Sequence, residues 1–122
     1  MKKQLIYVDD DAMNLTIFQI QFKKHFDIIT TNDPADAMMW TSDQKIPILI
    51  TDYRMPSLNG MELIHKVKEI SPSTLCILLS GHTSQELDLD LDLVFGFITK
   101  PFEFKDLHQV IENGFDRLEL SA

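Results

Sequence analysis

Short apolar runs, each closing on a polar or acidic residue, alternate with longer stretches of helical periodicity along this 122-residue chain. That alternation constrains the fold more than any other feature, because neighbouring parallel strands need a crossover between them and a helix usually supplies it. Gln4 to Val8 is brief and apolar and ends abruptly in Asp9-Asp10-Asp11. From Ala12 to about His25, Leu15, Phe18 and Phe22 recur at helical spacing, and Ile17 and Ile20 are expected to widen that face. Asp27 to Thr31 reads as a second strand. Asp33-Pro34 then offers an N-cap followed by proline at the first helical position, predicting a helix to about Ser42. Ile46 to Thr51 is a third strand, with Pro47 near its start where a missing N–H is tolerable. The turn Pro56-Ser57-Leu58-Asn59-Gly60 leads to a helix from about Met61 to Ile70, stopped by Ser71-Pro72. Thr74 to Leu79 and Phe97 to Thr99 are the remaining strands. Phe104, Leu107, Ile111 and Leu118, with Val110 and Phe115 beside them, mark a closing amphipathic helix. Such a series of units in one short chain predicts a doubly wound α/β sandwich.

Size and composition narrow the functions. The length suits one domain over residues 1–122 and leaves no room for a second. Hydrophobic residues make up 44% and charged residues 25%, so the chain can build a core and disorder is not expected. A formal charge of -8 repels phosphate backbones, which argues against nucleic-acid binding by this segment and suits a basic partner or a divalent cation. No apolar run approaches the roughly 20 residues that span a membrane, and Met1-Lys2-Lys3 leads into a strand pattern, unlike a signal peptide. A cytoplasmic setting is expected. Cys76, inside an apolar run, reads as a small buried hydrophobe.

In doubly wound sheets, ligands bind beyond the carboxyl ends of the strands. The first strand delivers Asp9, Asp10 and Asp11 there, the third Asp52, the fourth Ser80-Gly81, and the fifth Lys100-Pro101. Carboxylates gathered this closely repel one another, and a hard divalent cation relieves the repulsion; oxygen-only donors favour Mg²⁺ over zinc. Asp52 then has the chemistry of a carboxylate nucleophile toward phosphorus, with Lys100 balancing charge and the Ser80 hydroxyl donating to a phosphoryl oxygen. Each piece alone has a plainer reading. Asp11 suits a helix N-cap, Asp52 a turn start, and Ser80-Gly81 a simple turn. Their shared position at the strand ends is the specific signal.

These residues resemble a known family. Leu5-Ile6-Tyr7-Val8-Asp9-Asp10-Asp11 is similar to the opening acidic motif of the receiver domains of two-component response regulators. Ile48-Leu49-Ile50-Thr51-Asp52-Tyr53-Arg54-Met55-Pro56, followed by Gly60, resembles their phosphoacceptor segment. Ser80-Gly81 and Thr99-Lys100-Pro101-Phe102 match two further signatures. The resemblance spans essentially the whole chain. It implies a (βα)5 flavodoxin-like sandwich with a parallel five-stranded sheet in the order 2-1-3-4-5. It also implies Asp52 as the phosphorylation site, taking its phosphoryl group from a sensor histidine kinase or phosphotransfer protein; the chain would be a switch and not an enzyme in its own right. Asp10 and Asp52 would ligate Mg²⁺ through side chains, Arg54 through its backbone carbonyl, and Asp9 mainly through water. Ser80 would be the switch hydroxyl and Phe97 the switch aromatic, acting on the face made by the fourth helix, fifth strand and fifth helix. That face would meet an output domain or protein, and a homodimer stays open. The Lys100-Pro101 bond resembles one that is cis in the family.

Arg54, two residues after Asp52, and His82, two after Ser80, flank the chemistry and are candidates for tuning the lifetime of an aspartyl phosphate. The sequence departs from the family between Gln85 and Phe95. Leu87-Asp88-Leu89-Asp90-Leu91-Asp92-Leu93 alternates with period two, aspartate is a poor interior helix former, and the expected fourth helix should be short, tilted or mobile. Exposed leucines there would suit a partner or a second copy. Three other readings compete. An aspartyl-nucleophile phosphohydrolase of the haloacid dehalogenase type wants an acid where Arg54 stands. A receiver-like interaction module without phosphotransfer has to explain the full set Asp9, Asp10, Asp52, Ser80 and Lys100. A flavodoxin-type cofactor protein would need a phosphate loop after the first strand.

Overall fold

The structure, a computed structural model, describes residues 2–121; the expected domain ends, Met1 and Ala122, lie outside the described residues. The strands are β1 (Lys3–Val8), β2 (Phe26–Thr31), β3 (Ile48–Asp52), β4 (Leu75–Ser80) and β5 (Gly96–Thr99), joined into one sheet in the order β2-β1-β3-β4-β5. All neighbouring pairs are parallel, so every carboxyl end faces the same rim, as the alternation implied. The helices are α1 (Ala12–Phe22), α2 (Pro34–Gln44), α3 (Gly60–Ile70) and α4 (Phe104–Ser121).

Alternate residues of the strands feed two cores. Leu5, Tyr7, Ile48, Ile50, Ile77 and Leu79 pack with Phe18 and Phe22 of α1 and with Leu107, Ile111 and Phe115 of α4. Ile6, Val8, Leu49, Cys76 and Leu78 pack with Ala37 of α2 and Met61, Leu63, Ile64 and Val67 of α3. Central strands buried on both faces read as continuous apolar runs, which explains the composition of β1, β3 and β4. Complete burial of side chains such as Leu49 and Ile50 contributes about 1.5–3 kcal/mol each. The Cys76 thiol is among them, and burial pushes it up to about 12.

Local chemistry sets the helix starts. The Asp11 carboxylate accepts from the Met13 N–H at 2.9 Å and caps α1, and Asp33 accepts from Ala35 at 2.9 Å ahead of Pro34 in α2. Before α3, Asn59 and Glu62 form a reciprocal capping box, at 2.8 and 2.9 Å. Gly60 is required there, because a Cβ would collide with the Asp52 carbonyl and meet Leu78 at 2.7 Å.

Two expectations are corrected. Helix α1 stops at Phe22, short of His25, and Ile17 and Ile20 do not widen its buried face: they are 45% and 62% exposed. At 100° per residue they sit well round the helix from Phe18 and Phe22. The second correction is larger. No α-helix connects β4 to β5 among the described residues, so the (βα)5 pattern has four helices instead of five. The connection holds a turn at Thr83–Glu86 and a single 3₁₀ turn, Leu91–Leu93. Leucines every second residue cannot share one face of a helix, and here Leu89 and Leu93 reach the core while Leu91 is 57% exposed.

Candidate functional site

The parallel sheet brings the strand ends to one rim. Carboxylate oxygens of Asp9, Asp10 and Asp52 all lie within 4.8 Å of one another. Asp9 is 1% exposed and heavily bonded: the Tyr7 hydroxyl donates at 2.5 Å and the Asn14 amide at 3.1 Å to Oδ2, and the Asp11 N–H donates at 3.0 Å to Oδ1. Burial, then the hydrogen bond to Asp9, pushes the Tyr7 phenol far above its ordinary value, so it remains a donor. Asp10 is exposed and points its carboxylate into the same cluster.

Asp52 is buried at the end of β3, and its Oδ1 lies 2.7 Å from the Lys100 ammonium. Burial raises the Asp52 carboxyl above the ordinary carboxylate range. The Lys100 hydrogen bond and charge oppose that push, the Asp9 and Asp10 charges add to it, and the net direction is up. A cavity of about 240 Å³ opens over this pair, lined by Asp52, Arg54, Ser80, Gly81, His82 and Lys100. The Ser80 hydroxyl is 1% exposed and accepts from the His82 N–H at 3.0 Å. The Lys100-Pro101 peptide is cis, and the Lys100 N–H donates to the Ser80 carbonyl at 2.7 Å, closing the last rung between β4 and β5.

The loop after Asp52 is clasped at its base. The Tyr53 N–H donates to the Leu79 carbonyl at 2.8 Å, and the Tyr53 carbonyl accepts from Gly60 at 2.7 Å. Across the cavity mouth the Arg54 guanidinium contacts His82 Nε2 at 2.8 Å. Of the residues singled out from sequence, Phe97 alone stands away from the rim. It is half-buried on β5 and packs into the core shared with α2 and α3.

Sequence reasoning missed Tyr7 and Asn14 as partners of Asp9. The signal for Tyr7 was its place two residues before Asp9, on the same face of the strand. Asn14, in the first turn of α1, carried no comparable mark.

The fold and this acidic rim define a class. The model of the family described as "Response regulator receiver domain" matches residues 5–112, and the chain belongs to that family. It is a receiver domain of the two-component response regulators, a signalling module and not an enzyme of the usual kind. It is 29% identical over 121 residues to the "Transcriptional regulatory protein GlrR" of Escherichia coli (strain K12), with 97% of this chain but 27% of that protein covered. It is 27% identical over 114 residues to the "Response regulator receiver protein CpdR" of Brucella abortus (strain 2308), covering 92% of this chain and 95% of that one. The chain therefore spans about a quarter of some curated relatives and nearly all of others. Its fold superposes on the response regulator receiver domain protein (CheY-like) from Methanospirillum hungatei JF-1 with a TM-score of 0.91 over the whole of both chains, at 21% identity.

Among the described residues, no helix is long and apolar enough to cross a membrane.

Proposed function

We propose that Asp52 accepts a phosphoryl group from a phosphohistidine on a sensor histidine kinase or phosphotransfer protein, and that the resulting charge change switches the domain. The observation that carries this reading is the pairing of buried Asp52 with the partly exposed Lys100 at 2.7 Å, beside two further carboxylates. An Asp52 oxygen forms the bond to phosphorus as the P–N bond to the donor imidazole breaks, and the ring nitrogen takes up a proton. Lys100 balances the phosphoryl charge, and Ser80, freed to rotate, donates to a phosphoryl oxygen. Phe97 is the aromatic that follows that hydroxyl.

An all-oxygen cluster with three carboxylates and one nearby ammonium retains excess negative charge, which fits a hard divalent cation. Asp10 and Asp52 would hold Mg²⁺ with the Arg54 carbonyl, and Asp9, whose oxygens are already engaged, would act through water. Mg²⁺, when bound, neutralises carboxylates and offers coordination positions to phosphoryl oxygens. Arg54 and His82, facing each other over the cavity, are proposed to slow the water that hydrolyses the aspartyl phosphate. Output would run through β5, α4 and the connection before β5, toward an attached domain, a separate protein or a second copy.

The test is incubation with Mg²⁺ and acetyl phosphate, read by intact mass. One hydroxylamine-labile phosphoryl adduct is expected on the wild type and none on Asp52→Ala. An adduct-free wild type would favour an interaction module that does not use phosphate.

A further inference from the structure

We propose that Glu86 is a positioning residue that fixes the Arg54 guanidinium over the Asp52 cavity through the ring of His82. The inference rests on the reading of Asp52 as phosphoacceptor and deepens it.

The turn after β4 is folded around the Glu86 carboxylate. Its Oε1 accepts from the Thr83 N–H at 3.0 Å and from the Thr83 hydroxyl at 2.9 Å, and the Glu86 N–H donates to the Thr83 carbonyl at 3.0 Å. The other oxygen, Oε2, faces His82 Nδ1 at 3.4 Å, and His82 Nε2 meets the Arg54 guanidinium at 2.8 Å. A guanidinium has donors and no acceptor, so the contacting Nε2 has to present its lone pair. The ring proton therefore sits on Nδ1, where only an acceptor can face it, and the Glu86 carboxylate is that acceptor. Polarity runs one way along the chain: Arg54 donates to His82, and His82 donates to Glu86. The Thr83 bonds hold the carboxylate still, so the tautomer and the ring plane are set from outside the cavity. Both Arg54 and His82 line that cavity, and their contact bridges its mouth between the β3 loop and the β4 loop. A bridged mouth impedes a water approaching phosphorus.

Glu86→Gln discriminates this relay from a merely structural turn. The glutamine carbonyl still accepts from Thr83, but its NH₂ turned to His82 Nδ1 makes Nδ1 the acceptor and moves the ring proton to Nε2, where it opposes the Arg54 donors. With the full chain phosphorylated by acetyl phosphate, Glu86→Gln is expected to lose its adduct about fivefold faster than wild type, equivalent to about 1 kcal/mol in the barrier. In an Arg54→Ala background the same change should add nothing further. Nitrogen-15 spectra of the histidine ring should report Nδ1–H in wild type and Nε2–H in the variant. Equal lifetimes, or an equal effect of Glu86→Gln with and without Arg54, would overturn the proposal. If wild type takes no phosphoryl group, the Asp52 reading fails and the lifetime role falls with it. If the group is taken up and the wild-type ring carries its proton on Nε2, the relay alone fails.

Discussion

The two flanks of the rim are built differently. At β1 and β3 the strands are buried on both faces, and Asp9 is held by three donors from Tyr7, Asp11 and Asn14. Between β4 and β5 the chain runs from Ser80 to Gly96 with two isolated turns and alternating exposed aspartates. One flank fixes its charged groups with hydrogen bonds anchored in a doubly buried sheet; the other is held by local hydrogen bonds and a few partly buried side chains such as Leu89 and Leu93. The same rim thus joins a part whose geometry the core dictates to a part whose geometry the sequence pattern barely supports.

Substitutions can break that contrast. The largest effect is expected at Leu49→Ala in β3, where full burial predicts a loss of about 2–5 kcal/mol in denaturant unfolding. An effect under about 1 kcal/mol would mean the central strand is no more tightly packed than the connection. Next comes a pair of glycines. Gly60→Ala forces a methyl against the Asp52 carbonyl and should cost about 1–3 kcal/mol, whereas nothing lies within 4 Å of a Cβ at Gly81 and Gly81→Ala should stay within about 0.5 kcal/mol.

A charge test follows. In metal-free buffer the folded site holds the Asp52 carboxyl above its unfolded value, so the folded state binds the proton more tightly. Below the ordinary carboxylate pKa both states are protonated and no penalty exists. As pH rises through the raised value, ionisation in the folded site removes stability. Asp52→Asn should therefore be more stable than wild type at neutral pH and lose that part of the pH dependence. Added Mg²⁺ should raise the thermal midpoint of wild type more than that of the variant. Equal midpoints in metal-free buffer would remove the charge argument. The smallest effect sharpens the contrast from the other flank: Leu91→Ser, at a position 57% exposed, is expected within about 0.5 kcal/mol of wild type.

The parallel sheet and the acidic rim were legible because both depend on strong, short-range signals, whereas the strand order came only from the family resemblance. Apolar runs such as Ile48 to Ile50 close on polar residues, and in a parallel sheet every closing residue lands on one side. The N-caps Asp11, Asp33 and Asn59 mark the helix starts within a residue or two. Other features were harder to read. The burial of α1 depends on which of several apolar residues meet the sheet, and Phe18 and Phe22 won over Ile17 and Ile20. The spacing of Leu87 to Leu93 pointed to a weakened fourth helix, but neither the full loss of that helix nor the turns that replace it could be read from it. The Arg54–His82–Glu86 chain joins residues 28 and 4 positions apart, a juxtaposition that exists only once β3 and β4 are paired.

The clasp at Tyr53 fixes how the segment from Arg54 to Asn59 can vary. Because both backbone groups of one residue tie it down, to Leu79 on one side and Gly60 on the other, its base has a set circumference while its apex at Pro56 and Ser57 is open to solvent. Extra residues spliced in at the apex should leave the clasp and the Asp52 carboxylate where they are. A single residue spliced in between Asp52 and Tyr53 should shift the register of that tie and carry the Arg54 carbonyl away from the cluster, even though no side chain is changed.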